Sequence, residues 1–457
     1  METTWIKDPL AIFTATMKDD GAELSAQGGI VIQDNRIIET LARGERPSVP
    51  IDVIVDASQH VVTPGLINAH HHFYQTLTRA YPGALNKELF HWLKSLYPVW
   101  AGLDEEMMEV ATELALVEMM MSGCTTASDH HYLLPHGLEN AIDIQVDAAR
   151  QLGIRAILTR GSMSLGEEQG GLPPQHTIQS EQAIIDDSLR LIREYHQADD
   201  GAMVQIALAP CSPFSVTTEL MKETAQIARQ HGVMLHTHLC ETKDEEQFCL
   251  DRFGYRPVDY LEEVGWLHER TWLAHGIHFN DEEVRRLGQA QVGICHCPTS
   301  NMMLASGICR NKELETAGAK VGLGVDGSAS NDGSNMIAEV RMAMYLQRLR
   351  YGSAGVSHFD ALRWATAGSA AAMGRNDIGK IEAGMQADIA MFKLDDIRFS
   401  GSHDPLAALL LCGAQQADKV MVAGKWRVLD GRVEGIDLDD LLARHRAAAK
   451  RLAVKAN

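Results

Sequence analysis

The sequence lacks what would direct it to a membrane, a nucleic acid or an oxidising compartment. No run approaches the ~18 apolar residues of a membrane span; the longest candidate, Leu406 to Leu411, is far too short. The N-terminus, METTWIKDPLAIFTATMKDD, has no basic region leading into an apolar one, so no secretory signal is expected. Positive charge is scarce: 41 Lys+Arg face 61 Asp+Glu, a net charge of -20. That argues against nucleic acid or an anionic membrane as a partner, since both require basic patches. A small molecule stays open. The cysteines at 124, 211, 240, 249, 295, 297, 309 and 412 include no C-x-x-C pair, which excludes a zinc ribbon or thioredoxin-type motif. A reducing cytoplasm is the expected setting. The G-x-G-x-x-G turn of a dinucleotide-binding open sheet is missing as well.

What is present is a foldable chain of 457 residues, 45% hydrophobic and 22% charged, with ample material for a large core. Length alone suggests about three domains of about 150 residues, although one α/β barrel can absorb ~250. The two ends read alike. Gly29 to Glu39 is an apolar strand, an Asp-Asn turn and a second strand, and Lys419 to Val433 repeats that hairpin logic with Ala-Gly and Asp-Gly turns. A Leu- and Ala-rich helix is predicted from about Leu438 to Val454.

The middle alternates. Short apolar or β-branched runs recur at Val61–Ala69, Thr125–His130, Ile154–Arg160, Val204–Pro210, Val233–His238, Trp272–His275, Val292–His296 and Val321–Asp326. Helical patterns such as Glu106–Ser122, Glu181–Tyr195, Glu219–His231 and Asp281–Ala290 lie between them. Eight strand–helix units predict a closed parallel barrel.

The polar residues at the strand ends carry the chemistry. Strand one ends in His70-His71-His72, strand five in His236-Thr237-His238-Leu239-Cys240-Glu241, strand six in His275 and strand eight in Asp326. In a barrel all C-terminal strand ends open on one face, so these segments converge. Imidazole and carboxylate are ligands of a borderline-soft divalent ion, and three or four with an open position make a catalytic site. Singly, each is as ordinary as any core or surface histidine. Together they have no cheap structural explanation, because buried unpaired imidazoles and carboxylates cost free energy without a metal.

On these segments the sequence resembles the amidohydrolase superfamily over nearly its whole length. The matching phrases are VVTPGLINAHHHFYQ, HLCET around Glu241, AHGIH around His275, HCPTSN from His296, GLGVDGSASND around Asp326 and IGKIEAGMQADIAMF from Ile378. The resemblance implies a (β/α)8 TIM-type barrel over 61–376, with a small β-sandwich built from 1–60 and 377–457. Strand four reads ALAPCSPF without a lysine, which disfavours the binuclear branch and favours the mononuclear nucleobase and triazine deaminases. In that branch His70, His72, His238 and Asp326 would hold one divalent metal, Zn2+ or else Fe2+, together with a water. The ion would bring the water's pKa towards ~7. Asp326 would take the proton of that water as it attacks the amino-bearing carbon, Glu241 would protonate a ring nitrogen and then the departing ammonia, and His275 would hydrogen-bond the reacting centre. His71 and His236 are expected to be structural. The cysteines flanking His296 are expected as small buried residues of a loop that shapes the pocket.

Substrate choice must come from the surrounding side chains. Gln75 sits where guanine-type deaminases of the family place an amide, whose donor and acceptor suit a guanine-like edge. Plain guanine deaminases carry an Arg-Phe pair after strand four, whereas this chain reads Pro210-Cys211-Ser212. Trp92, with Phe90 and Trp100, falls in a segment (84–100) resembling a lid, and Arg160 at the end of strand three could reach a carbonyl or carboxylate. HHHFYQTLTRAYPG and APCSPFSVT are most similar to the 8-oxoguanine deaminases, with isoxanthopterin deaminases and hydroxy- or chloro-triazine hydrolases as near neighbours. The resemblance thus implies deamination of 8-oxoguanine to urate by a homo-oligomer, without nucleic acid or membrane. Cytidine-deaminase chemistry is set aside, since its H-x-E with P-C-x-x-C does not occur. Superfamily members that serve as assembly proteins have lost metal ligands, and no ligand position is missing here.

Overall fold

Eight parallel strands form the central sheet of the computed structural model, which describes residues 2–18 and 21–455. They are Leu66–Asn68, Cys124–His131, Arg155–Ser162, Val204–Pro210, Leu235–Leu239, Thr271–His275, Gly293–His296 and Lys320–Leu323, each paired with the next in chain order. First and last are stitched together by neighbouring backbone: Ala69 N–H donates to the Leu323 carbonyl at 2.9 Å and Asp326 N–H to the His70 carbonyl at 3.1 Å. The sheet is therefore a nearly closed barrel, as the eightfold alternation predicts. Its strands are buried almost throughout, which is why they read as continuous runs rather than as polar–apolar alternation. The intervening helices start and stop where local chemistry dictates. Ser180, Thr217 and Asn280 cap Glu181–Tyr195, Thr218–His231 and Asp281–Gln289, and Gly232 ends the second of these in a left-handed conformation.

The termini build two further sheets. Arg36–Leu41, Gly29–Gln33, Thr3–Lys7 and Val53–Asp56 make one. The other has six strands: Arg432–Val433, Lys425–Leu429, Lys419–Val422, Ile389–Lys393, His60–Pro64 and Ala11–Ile12. Ile6, Ile30, Ile32, Val62, Ile389 and Met391 fill one shared core. The Ala423-Gly424 and Asp430-Gly431 turns hold both central residues at positive φ, the twist that two-residue hairpins need.

Two expectations are corrected. The run Val61–Ala69 is not one strand: His60–Pro64 pairs antiparallel with Ile389–Lys393 in the terminal sheet, and only Leu66–Asn68 enters the barrel. The switch falls at Gly65, which lies so tight on Thr125 that a Cβ there would come within 2.1 Å of its hydroxyl. We propose keeping the division into barrel and sandwich with its first border moved to Gly65. The final helix, Leu438–Lys455, packs on the barrel rather than the sandwich, with Arg444–Glu113 and Lys455–Asp104 ion pairs at 2.9 and 2.8 Å. Among the described residues no helix is long and apolar enough to cross a membrane.

Candidate active site and metal centre

Strands one, five and eight bring four electron-pair donors together at the barrel mouth. His70 Nε2 lies 3.3 Å from Asp326 Oδ1, His72 Nε2 3.4 Å from the same oxygen, and His238 Nε2 3.3 Å from His72 Nε2. The protonation of each ring follows from its other nitrogen. His72 Nδ1 donates to the His130 carbonyl at 2.7 Å and His238 Nδ1 to the Cys211 carbonyl at 2.6 Å. His236 Nδ1 donates to the Trp272 carbonyl at 2.8 Å, which leaves its Nε2 to accept from His70 Nδ1 at 2.8 Å. All three inner Nε2 atoms are therefore lone pairs, and burial holds all three imidazoles below their usual pKa, His238 down to about 3. Two such lone pairs 3.3 Å apart repel unless a cation lies between them. Among the described residues His70 Nε2 finds no hydrogen-bond donor.

These residues fit a metal. Donors about 2.0–2.1 Å from a tetrahedral centre stand about 3.3–3.4 Å from one another, the separations of the His70–Asp326, His72–Asp326 and His72–His238 pairs. Each ring is aimed by a hydrogen bond through its outer nitrogen, as metal-binding histidines usually are.

His275 has the opposite tautomer. Its Nδ1 accepts from Asn301 Nδ2 at 2.9 Å, so Nε2 carries the proton. That N–H points towards Glu241 Oε2 at 3.4 Å and Asp326 Oδ2 at 3.8 Å. The two carboxyls are driven apart. Burial pushes Glu241 well above the usual carboxyl range, and the charges of Asp326 and Glu245 add to it. Burial would raise Asp326 too, but its close contact with the His70 imidazole, and the nearness of those of His275 and His72, hold it well below. One acid keeps its proton while its neighbour is ionised, the division that acid–base work requires. Cys240, His275 and Asp326 all sit at positive φ, which for side-chain-bearing residues marks strain concentrated at a functional mouth.

The cavity beside these groups is lined by Gln75, Trp92 and Cys211, and by Tyr97, Tyr132 and Phe214. Gln75 lies directly over Gly327, where a Cβ would meet its Oε1 at 1.9 Å. Trp92 presents its ring and spends its N–H on the Ala329 carbonyl at 3.2 Å. Phe90 and Trp100 do not line the cavity; they pack on Phe214 and on Tyr74, respectively. Arg160 is not brought to the cavity either: its guanidinium is held by Asp187 at 2.6 Å and Gln179 at 2.9 Å. The free space is only about 30 Å3, far below the ~300–1,000 Å3 of small-molecule pockets. Leu89, Trp92, Leu93 and Tyr97 of the Leu89–Trp100 helix line one side of it.

His71 accepts from the His72 N–H and bonds Ser334 at 2.8 Å, outside the donor cluster. Other residues escaped the sequence reading. Asp129 accepts from Phe73 N–H and Gln145, both at 2.6 Å, anchoring the turn after His72. Ser300 donates to Asp326 Oδ2 at 2.6 Å, and Glu245 accepts the N–H groups of Cys240 and Glu241 at 2.9 and 3.1 Å. The one signal for Asp129 was a charged residue inside an otherwise buried strand, next to His130-His131.

Comparison with known proteins agrees with this geometry. Residues 61–427 match the Amidohydrolase family. The chain is 64% identical over 452 residues to an 8-oxoguanine deaminase from Pseudomonas aeruginosa, covering 99% of both chains. It is 34% identical over 423 residues to an isoxanthopterin deaminase from an unknown prokaryotic organism, 88% of each. Among solved structures, an atrazine chlorohydrolase from Arthrobacter aurescens TC1 complexed with zinc superposes with a TM-score of 0.91 at 32% identity, over 98% of this chain and 100% of that one.

Proposed function

The chain belongs to the amidohydrolase family, and from that premise we propose that it is a metal-dependent aminohydrolase converting 8-oxoguanine and water to urate and ammonia. The observation that carries the chemistry is the meeting of three imidazole lone pairs and Asp326 beside a proton-bearing Glu241. The substrate is supported by 64% identity along the whole chain to a protein of that name. His70, His72, His238 and Asp326 would hold one ion, zinc by its donor set and by the zinc-bound neighbour, with iron the next candidate. When bound, such an ion acidifies water towards neutral pKa.

The protein's own groups do the rest. Asp326, ionised, accepts the proton of the water attacking the amino-bearing carbon. Glu241, protonated, delivers its proton to the adjacent ring nitrogen and then relays one to the departing amine. The His275 Nε2–H, fixed by Asn301, donates to the oxygen that gains charge in the transition state. Water adds and ammonia leaves, so the carbon ends as a carbonyl. Gln75, Trp92 and Cys211, which line the cavity, would contact the ring. Arg160 drops out of the substrate contacts. We also propose a homo-oligomer, on the family resemblance alone, and a cytoplasmic setting, on the cysteine pattern and N-terminal sequence. Metal analysis of the purified chain tests the frame: close to one divalent ion per chain is expected, and well below one sinks the catalytic reading.

A further inference from the structure

Glu241 needs an aim that its own side chain does not supply. The contact in reach of its carboxyl is the His275 Nε2–H at 3.4 Å, longer than a firm N–H···O bond. Its direction is therefore set by the backbone that carries it. That backbone is strained: Cys240, the residue before, holds φ at 54°, a left-handed conformation that a side-chain-bearing residue keeps only when its surroundings enforce it. Enforcement comes from both sides. The Cys240 carbonyl accepts the N–H groups of Ile277 and His278 at 2.9 and 3.0 Å, just past His275. On the other side stands the buried carboxylate of Glu245. Its Oε1 accepts from Cys240 N–H at 2.9 Å and its Oε2 from Glu241 N–H at 3.1 Å. Glu245 is the third residue of the Lys243–Phe253 helix, where a glutamate ordinarily reaches back to complete the helix start. Here it reaches beyond that start to the turn. Thr242, the N-cap residue, makes no capping bond with its side chain, and its buried hydroxyl has no partner among the described residues. The helix start is left incomplete while the turn is held twice.

We propose that Glu245 is a positioning residue for the deamination: its carboxylate clamps the Cys240–Glu241 turn and so aims the Glu241 carboxyl at the substrate. This rests on the acid–base role given to Glu241, not on the choice of base. Glu245 borders the cavity, but both its oxygens are engaged by the backbone, so it acts through Glu241 and hands over no proton itself. A misplacement of about 1 Å at a reacting group can cost about 10²-fold in rate, which sets the size of the effect.

Glu245→Gln keeps the size and shape of the side chain but has one acceptor oxygen, and it sets an amide NH2 against the second backbone N–H. The variant should hold its metal near the wild-type level and lose about 10- to 100-fold in kcat, with KM within about threefold. The deciding measurement is the same substitution in the Glu241→Gln background. A residue that acts only by aiming Glu241 has nothing left to aim there, so the double variant should be no more than about twofold slower than Glu241→Gln alone. Equal losses in the two backgrounds mark a residue that merely holds the helix start and overturn the proposal, as does a near-normal kcat for the single variant. If Glu245→Gln does not fold, Glu245→Asp, which keeps the charge and is one methylene shorter, is put through the same cycle with the same deciding outcomes. A near-normal rate for Glu241→Gln alone removes instead the role of Glu241 on which the proposal stands.

Discussion

His70 donates through Nδ1 to His236 Nε2 at 2.8 Å, and His236 donates in turn to the Trp272 carbonyl at 2.8 Å. The chain of two bonds fixes the tautomer of His70, so that its inner nitrogen is a lone pair. His236 also stacks on the Trp272 ring, 4.2 Å between centroids, which holds the relay in place. His236→Ala should therefore leave the four proposed metal-binding residues present but lower metal affinity about 10- to 100-fold, measured by competition with a chelator. Unchanged affinity in a folded variant would remove His236 from this role.

Glu241→Gln separates proton transfer from metal binding. Glu241 touches the reacting region but is absent from the inner donor set. The variant should retain its metal and lose about 10²- to 10⁴-fold in kcat. A near-normal rate would contradict the role assigned to Glu241.

Asp129 supplies a stability test away from the metal. Burial raises its carboxyl from 3.8 to about 7, against the lowering effect of bonds from Gln145 and Phe73. The folded chain thus holds a proton that the unfolded chain releases between about pH 4 and 7. The stability from this group is present below pH 4 and lost as pH rises through 7. At 1.36 kcal/mol per unit over about three units, the span is on the order of 4 kcal/mol. Asp129→Asn keeps the neutral form, and Gln145 Oε1, which has no partner, can turn to accept from the new amide. The variant should gain stability relative to wild type as pH rises from 4.5 to 7.5, followed by thermal melts. A constant difference across that range would contradict the assignment.

Barrel and donors were legible in the sequence because each rests on a local regularity. Eight buried runs alternate with helices, and the donors stand at strand ends, where topology alone makes distant segments meet. The misread strand at Val61–Ala69 shows the limit. Two strands of different sheets run on with no polar break, and only the approach of Gly65 to Thr125 separates them. Arg160 shows another: its residue type suits a substrate carboxylate, yet Asp187, nearly two turns into the next helix, claims it. The His275 tautomer depends on Asn301 and the state of Glu241 on burial beside Asp326, contacts between segments far apart in the chain.

The central claim, metal-dependent deamination of 8-oxoguanine, is tested most directly by ammonia release. The metal-loaded chain should be compared on 8-oxoguanine, guanine, isoxanthopterin and an aminotriazine, with a chelated sample in parallel. The account predicts the highest kcat/KM on 8-oxoguanine, with urate formed in step with ammonia and turnover lost on chelation. A clear preference for any of the other three, or full activity in the chelated sample, would contradict it.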